Sequence, residues 1–403
     1  MLNENSIYPY LRVRTSYYKK IQKPLLSGDF VDTLTPWSLD VIKQDYGRKW
    51  TEVFDKIPKY DGFCNLPSHI NYRRSYKGFY NQYEPLSITA KKGAFDCIME
   101  FLQHIFQDQL DIALDYLTIL YQRPTESLPV LCLVSVERGT GKSTFLALLK
   151  AIFAANMTYN NNEDFRSNFN DSWVFKLIIA VDEVLLDRRE DSEKIKNLAT
   201  TKVYKIESKG VDRSEVEFFG KFILCSNNEE DFITIDPKEI RYWIRKIHPL
   251  KSVDPFLLEK MKLEIPGFMY YLQNREIASE KKSRMWFTPD QLVTDSLLKI
   301  KKKFRNKIET ELLGIISEIM DTFDLEVFCF TNKDAIELLK SNHIRITRAE
   351  AKRIIDNWKI SASDNTFNYT TYKYDSSGVV YESHLKGRFY TLKRSEVYQI
   401  LMV

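Results

Sequence analysis

The run LVSVERGTGKSTFLALL brings Gly139, Gly141, Lys142 and Ser143 together, residue types that suit one task, holding a chain of phosphates. Glycines at 139 and 141 let the backbone curl until successive N–H groups point at phosphate oxygens. A helix starting near Lys142 aims its positive end at the same charge. Lys142 is expected to reach the β- and γ-phosphates of ATP, and the Ser143 hydroxyl to ligate Mg²⁺. The expected nucleotide-binding loop is Glu137, Arg138, Gly139, Thr140, Gly141, Lys142, Ser143 and Thr144, a Walker A motif. Its usual spacing, Gly-x-x-x-x-Gly-Lys-Ser/Thr, puts glycine where this chain has Val136. An apolar strand in front and an apolar helix behind nevertheless supply the context that the motif requires.

Further on, the apolar run WVFKLIIAVDE ends in Asp182 and Glu183. Asp182 can hold the Mg²⁺ shell, and Glu183 can orient and activate the attacking water. FILCSNN is another apolar run, and Asn227 at its end is expected beside the γ-phosphate as a sensor; Asn-Asn is also ordinary turn chemistry. EIRYWIRKI carries Arg241 and Arg245. An arginine set against a neighbouring subunit's nucleotide neutralises charge developing in the transition state, and Arg241 is the chosen finger with Arg245 in reserve. The catalytic set is therefore Lys142, Asp182, Glu183, Asn227 and Arg241, with Ser143 and Asp182 as Mg²⁺ ligands.

Such residues need strands that end at a common edge. LPVLCLVSV is continuously apolar, as expected of a strand buried on both faces of a parallel sheet. TFLALLKAIFAA follows as a helix, and strand and helix patterns alternate from 128 to 250, which predicts an α/β core with a parallel sheet. Ahead of it, FDCIMEFLQHIFQDQLDIALDYLTILYQ spaces apolar residues by three and four until Arg123-Pro124 ends the pattern. Residues 1–92 read as a mixed, β-leaning region with turns at Asp61-Gly62 and Lys77-Gly78, and 93–127 as a helical collar. The core at 128–250 is followed by a helical extension at 251–280 and a basic linker at 281–307. Residues 308–403 give three helices and two strands around Ser377-Gly378, an α+β order compatible with a winged helix.

ERGTGKSTF, IIAVDE, VYKIESKGVDRSEVEFF, FILCSNN and EIRYWIRKI, in that order, resemble the superfamily 3 helicases, AAA+-type P-loop ATPases. The similarity is to the helicase modules of phage and plasmid primase-helicases, and it covers roughly residues 75–275. In that family a β-hairpin before the sensor strand carries a basic residue into the channel of a ring. The two alternating segments around Lys209-Gly210 fit such a hairpin. Lys209 matches the DNA-contacting lysine, with Lys205 close by; a charged hairpin tip grips phosphate whatever the sequence, although most hairpin lysines are simply exposed. The resemblance implies an ATP-dependent helicase that translocates 3′ to 5′ on single-stranded DNA as a homo-oligomer, a hexamer, in replication of a phage, plasmid or other mobile element. The alternative is an AAA+ ATPase that remodels or loads a partner protein without unwinding DNA. The sequence shows no clustered acidic site for priming, so a primase activity, if one accompanies this helicase, is expected on a separate polypeptide.

The remaining properties set bounds. With 403 residues, 44% hydrophobic and 28% charged, the chain is long enough for two or three domains with buried cores. A net charge of +4 permits a nucleic-acid partner without requiring one. Five scattered cysteines form no CxxC, and no apolar run is long enough to span a bilayer, so a cytoplasmic protein without a membrane partner is expected, and the resemblance implies a bacterial host cell. Lys299, Lys301, Lys302, Lys303, Arg305 and Lys307 are expected to form a solvated surface. Lys386 and Arg388 lie on the possible wing. Arg12, Arg14, Lys19 and Lys20 interleave with Tyr17 and Tyr18, which suits single-stranded nucleic acid, but an ordinary aromatic β segment is the preferred reading.

Overall fold

The computed structural model describes residues 8–24, 30–167, 170–184, 186, 189–206, 214–235, 239–252, 254–375 and 377–401. The chain divides into two compact units, Met1–Thr234 with Glu239–Leu297, and Ile235–Lys238 with Leu298–Val403.

In the first unit, β1 (Tyr10–Val13), β2 (Ser16–Pro24) and β3 (Phe30–Trp37) form an antiparallel meander, followed by α1 (Leu39–Tyr46) and α2 (Trp50–Lys56). β4 (Lys59–Tyr60) returns parallel to β1, giving the order β3-β2-β1-β4. Strand alternation sends Tyr10 into a small core with Ile42, Val53 and Ile57, and Leu11 and Val13 into another with Tyr80. β5 (Gly62–Cys64), β6 (Ser75–Tyr76) and β7 (Phe79–Asn81) make a second small sheet, with Lys77-Gly78 at the β6–β7 turn. α3 (Asp96–Phe106) and α4 (Leu110–Gln122) follow, and the three–four spacing read from the sequence buries Ile98, Phe101, Leu102, Ile105 and Phe106 on α3.

The core begins with β8 (Val130–Val134) and α5 (Lys142–Phe153), then β9 (Met157–Asn160), α6 (Asn162–Arg166), β10 (Ile178–Val181) and α7 (Arg189–Leu198). The hairpin β11 (Val203–Ile206) and β12 (Ser214–Glu217) precedes β13 (Lys221–Ser226), β14 (Tyr242–Lys246) and α8 (Leu257–Asn274). The sheet order is β14-β8-β13-β10-β9, and every pairing is parallel. The α/β expectation therefore holds in its parallel sheet. β8, β10 and β13 are buried along their whole length, which explains the unbroken apolar sequences of β8 and β10 and the apolar FILC of β13 between buried Lys221 and Ser226. Leu131, Leu133, Ile178, Ala180, Ile223 and Cys225, alternate residues of three strands, share one core with side chains of α3, α4, α5 and α8.

In the second unit, α9 (Asp295–Thr322) is one helix of 28 residues, so 295–307, expected as linker, is helical. Lys and Arg propagate a helix well, and no Gly or Pro interrupts the stretch before Gly314. β15 (Val327–Phe330), α10 (Asn332–Ser341), α11 (Arg348–Asn357), β16 (Phe367–Tyr374), β17 (Val380–Gly387), β18 (Tyr390–Lys393) and α12 (Arg394–Leu401) complete the chain. Capping boxes at Thr331/Asp334 and Thr347/Glu350 start α10 and α11. β16 and β17 form the hairpin around Ser377-Gly378, and β15 pairs antiparallel with β18. The short apolar strand VFCF thus stands where the sequence reading had only helices. No helix among the described residues is long and apolar enough to cross a membrane.

Candidate functional site

β8, β10 and β13 are adjacent and parallel, so their carboxyl ends meet at one edge, where open α/β sheets form their crevices. From β8 the chain runs through residues 135–141 into α5. Gly139 and Gly141 hold φ of +68° and +93°, the left-handed region that favours glycine. A Cβ at Gly141 would stand 2.9 Å from the Phe101 ring, so α3 also fixes this residue as glycine. His104 of α3 lies 3.1 Å from the Thr140 carbonyl, through Nε2. Val136 is 66% exposed and is not among the positive-φ residues, so its place in the loop demands no glycine. This is the physical reason why the departure from the usual motif is tolerated.

Lys142 opens α5 with a buried side chain whose Nζ donates to the Ser135 carbonyl at 3.0 Å and to Thr140 Oγ1 at 3.4 Å. Burial lowers its pKa, opposed by Cys225, Asp182 and Glu229. The Ser143 hydroxyl donates to Asp182 Oδ2 at 2.8 Å, joining the start of α5 to the end of β10. Asp182 also accepts from the Glu183 N–H at 3.1 Å, and Asn227 Nδ2 is 3.5 Å from Glu183 Oε1. Because β13 lies between β8 and β10, Asn227 at its end faces the acid pair. Glu183 itself has φ +57°, an unfavourable value for a residue with a Cβ. Its neighbour Val184 is pinned to β13: the Val184 N–H donates to Cys225 O at 2.8 Å, and Ser226 Oγ donates to Val184 O at 3.0 Å.

The structure therefore brings together Lys142, Ser143, Asp182, Glu183 and Asn227, with Lys142 buried and the other four exposed at the sheet edge. Ser143 and Asp182 offer hard oxygen donors side by side, which fits Mg²⁺, a cation that takes one or two protein oxygens and completes its shell with water and phosphate. Sequence reasoning missed Glu229. Its carboxylate accepts from the Val136 N–H at 3.3 Å and from Lys246 Nζ at 2.8 Å, tying the loop after β13 to the 135–141 loop and to β14. An acid two residues past Asn227 has no periodicity or motif to mark it.

A protein family of unknown function, DUF5906, matches residues 133–241, from the end of β8 to Arg241. The DNA primase-polymerase of Nitratiruptor phage NrS-1 is 24% identical over 267 residues, 60% of this chain and 36% of the phage protein. The chain thus spans well under two thirds of that relative. Apo structures of the NrS-1 C-terminal region, residues 305–718, share this fold. One covers 94% of this chain and 95% of its own at TM-score 0.56 and 16% identity. A second, in the A form, covers 95% and 96% at the same TM-score and identity.

The other expected residues lie elsewhere. Arg241 precedes β14, at the sheet edge opposite the 135–141 loop, and its carbonyl accepts from the Val130 N–H at 2.8 Å. Its Nη1 donates to Glu239 Oε2 at 2.8 Å, and its Nε is buried without a partner. Arg245 is buried: Nη1 donates to Gln109 Oε1 at 3.0 Å, and Nη2 donates to Phe106 O at 2.8 Å and Asp108 Oδ1 at 2.9 Å. A guanidinium enclosed in its own protomer cannot reach another's nucleotide, so the reserve role for Arg245 falls. Lys205 is exposed on β11 directly opposite Glu215, and its carbonyl accepts from Asn170 Nδ2 at 2.8 Å. The hairpin base is anchored by Tyr204, Trp173 and Phe218, with ring centroids 5.9–6.3 Å apart. Lys209 lies outside the described residues.

Proposed function

We propose that this chain is an ATP-dependent DNA helicase of the AAA+ type, working as a ring, a hexamer, on single-stranded DNA during phage replication. One observation carries the reading: Lys142, the Ser143–Asp182 pair and the Glu183–Asn227 pair converge at the carboxyl ends of three adjacent parallel strands. The N–H groups of the 139–143 turn and the Lys142 ammonium take the β- and γ-phosphates. Ser143 and Asp182 would hold Mg²⁺, which would supply positive charge against the phosphates. Glu183 orients the attacking water and draws its proton, while Asn227 binds the γ-phosphate and reports its loss. Arg241, facing away from its own loop, serves the nucleotide of the neighbouring protomer.

Lys205 and Lys209 are the proposed DNA contacts, moved by the hairpin as β13 responds to nucleotide state. The second unit takes the winged-helix reading from its α10–α11 pair and the β16–β17 hairpin. The phage context of this reading is supported by the NrS-1 relative, a DNA primase-polymerase; the cytoplasm of a bacterial host and a separate primase partner are part of the proposal. The test is unwinding of forked DNA with ATP, beside ATP turnover with and without single-stranded DNA. Unwinding, with stimulation lost in Lys209→Ala while basal turnover persists, is the expected result. Turnover that ignores DNA, without unwinding, would instead establish an ATPase that remodels a partner protein.

A further inference from the structure

The N-terminal sheet carries charge that the ATP chemistry does not use. Residues 1–60 hold ten Lys and Arg against seven Asp and Glu, a net +3, whereas residues 61–297 carry −3. Within that excess, Arg12 and Lys59 are in register on the neighbouring strands β1 and β4. Like charges directly opposite each other are unfavourable unless an anion joins them. Among the described residues neither side chain has a hydrogen-bond or ion-pair partner, and Arg12 Nε is buried without one. Two acids of α1 are engaged elsewhere: Asp40 pairs with Lys43 at 3.4 Å, and Asp45 accepts from the Tyr10 hydroxyl at 3.5 Å.

Half-buried aromatic rings continue from this cation pair, two of them, Tyr17 and Trp37, packed by one side against the Tyr10, Ile42, Val53 and Ile57 core. Tyr17 is in register with Arg12, Trp37 with Tyr17, and the Phe54 ring lies 6.3 Å from that of Tyr17. Lys19 Nζ stands 4.5 Å from the Trp37 ring, and Lys59 Nζ 5.6 Å from that of Phe54. Each of these two rings therefore carries a lysine ammonium over it. We propose that this rim binds single-stranded nucleic acid, with bases stacking on Tyr17, Trp37 and Phe54 and phosphates neutralised by Arg12, Lys19 and Lys59. A duplex hides its base faces and would engage only the cations. An unstacked strand uses both sets. This site is separate from the β11–β12 hairpin and does not require the chain to unwind DNA.

The experiment is fluorescence anisotropy of labelled oligo(dT) and oligo(U) with the full chain in the absence of nucleotide. Arg12→Gln/Lys59→Gln should weaken binding about tenfold and flatten its dependence on log salt by about 1.4, two phosphates' share. Trp37→Ala should weaken it by about tenfold through lost stacking. Unchanged unfolding temperatures confirm that the variants fold, and the charge variant stays informative if Trp37→Ala does not. Whether dT and U lose affinity equally tells DNA from RNA as the source. Single-strand affinity unchanged in the folded charge variant overturns the site, and so does a loss confined to duplex. Neither result touches the unwinding test, which depends on the ATP site and the hairpin.

Discussion

At Glu183 the backbone stores strain, with φ at +57° in a residue that has a Cβ. Such a conformation costs about 1–3 kcal/mol and persists only where neighbours enforce it, here the two hydrogen bonds that clamp Val184 to β13. The strain sets the carboxylate at the sheet edge beside Asn227. Glu183→Gly should therefore raise stability by about 1 kcal/mol, because glycine accepts this φ, while turnover falls about 10²–10⁴-fold with the lost base. Urea unfolding and ATP hydrolysis on the same preparation check both halves. A variant that is both less stable and fully active would remove the proposed role. Arg241 and Arg245 make a second residue-scale point: Arg241, just ahead of β14, pairs with Glu239, while Arg245, within β14, is more deeply buried and pairs with Asp108.

Among the elements, the segment from β5 to β7 is fastened to the core by His69. Nδ1 lies 2.7 Å from the Tyr121 carbonyl at the end of α4, and Nε2 lies 2.7 Å from the Tyr83 hydroxyl. That pattern fits a neutral ring that donates from Nδ1 and accepts at Nε2. Burial lowers the pKa from 6.5 to about 4, with Lys221 adding to the effect and the Tyr121 bond opposing it. Between these values the unfolded chain binds the proton that the folded one refuses. Stability present above pH 6.5 is thus lost as pH falls toward 4. His69→Gln keeps a donor and an acceptor but no titration, so its stability should fall less steeply over that window than the wild type's. Urea midpoints across a pH series measure the difference.

For the whole molecule, Arg241 lies at the edge opposite the 135–141 loop, so the proposed role for it requires an ATP site shared between protomers. Lys142→Ala and Arg241→Ala should each lack turnover alone. Mixed under conditions that let subunits exchange, they should recover part of it, because some interfaces then pair an intact loop with an intact arginine. No recovery, in particles shown by light scattering to be mixed, would mean that Arg241 serves its own fold through Glu239 and not a neighbour. ATP should also increase particle size, as expected when nucleotide bridges protomers.

Contiguous patterns determined much of this protein. The apolar runs of β8, β10 and β13, the glycine loop between strand and helix, the paired strands β11 and β12, and the acids after β10 are all local signals of burial, turn geometry or period. Tertiary structure alone decided which strands became neighbours, because parallel pairing depends on contacts far apart in sequence. The insertion of β13 between β8 and β10 faces Asn227 toward Glu183, and the same long-range packing encloses Arg245 and brings Glu229 to the loop. The register of β1 with β4 sets Arg12 beside Lys59, forty-seven positions apart, and no reading of spacing reveals two unpaired cations there. The continuity of α9 through the basic stretch had the same origin: charge reads as solvated surface in a linker and in a helix alike, and only packing of its apolar face from Ile308 to Met320 chose between them.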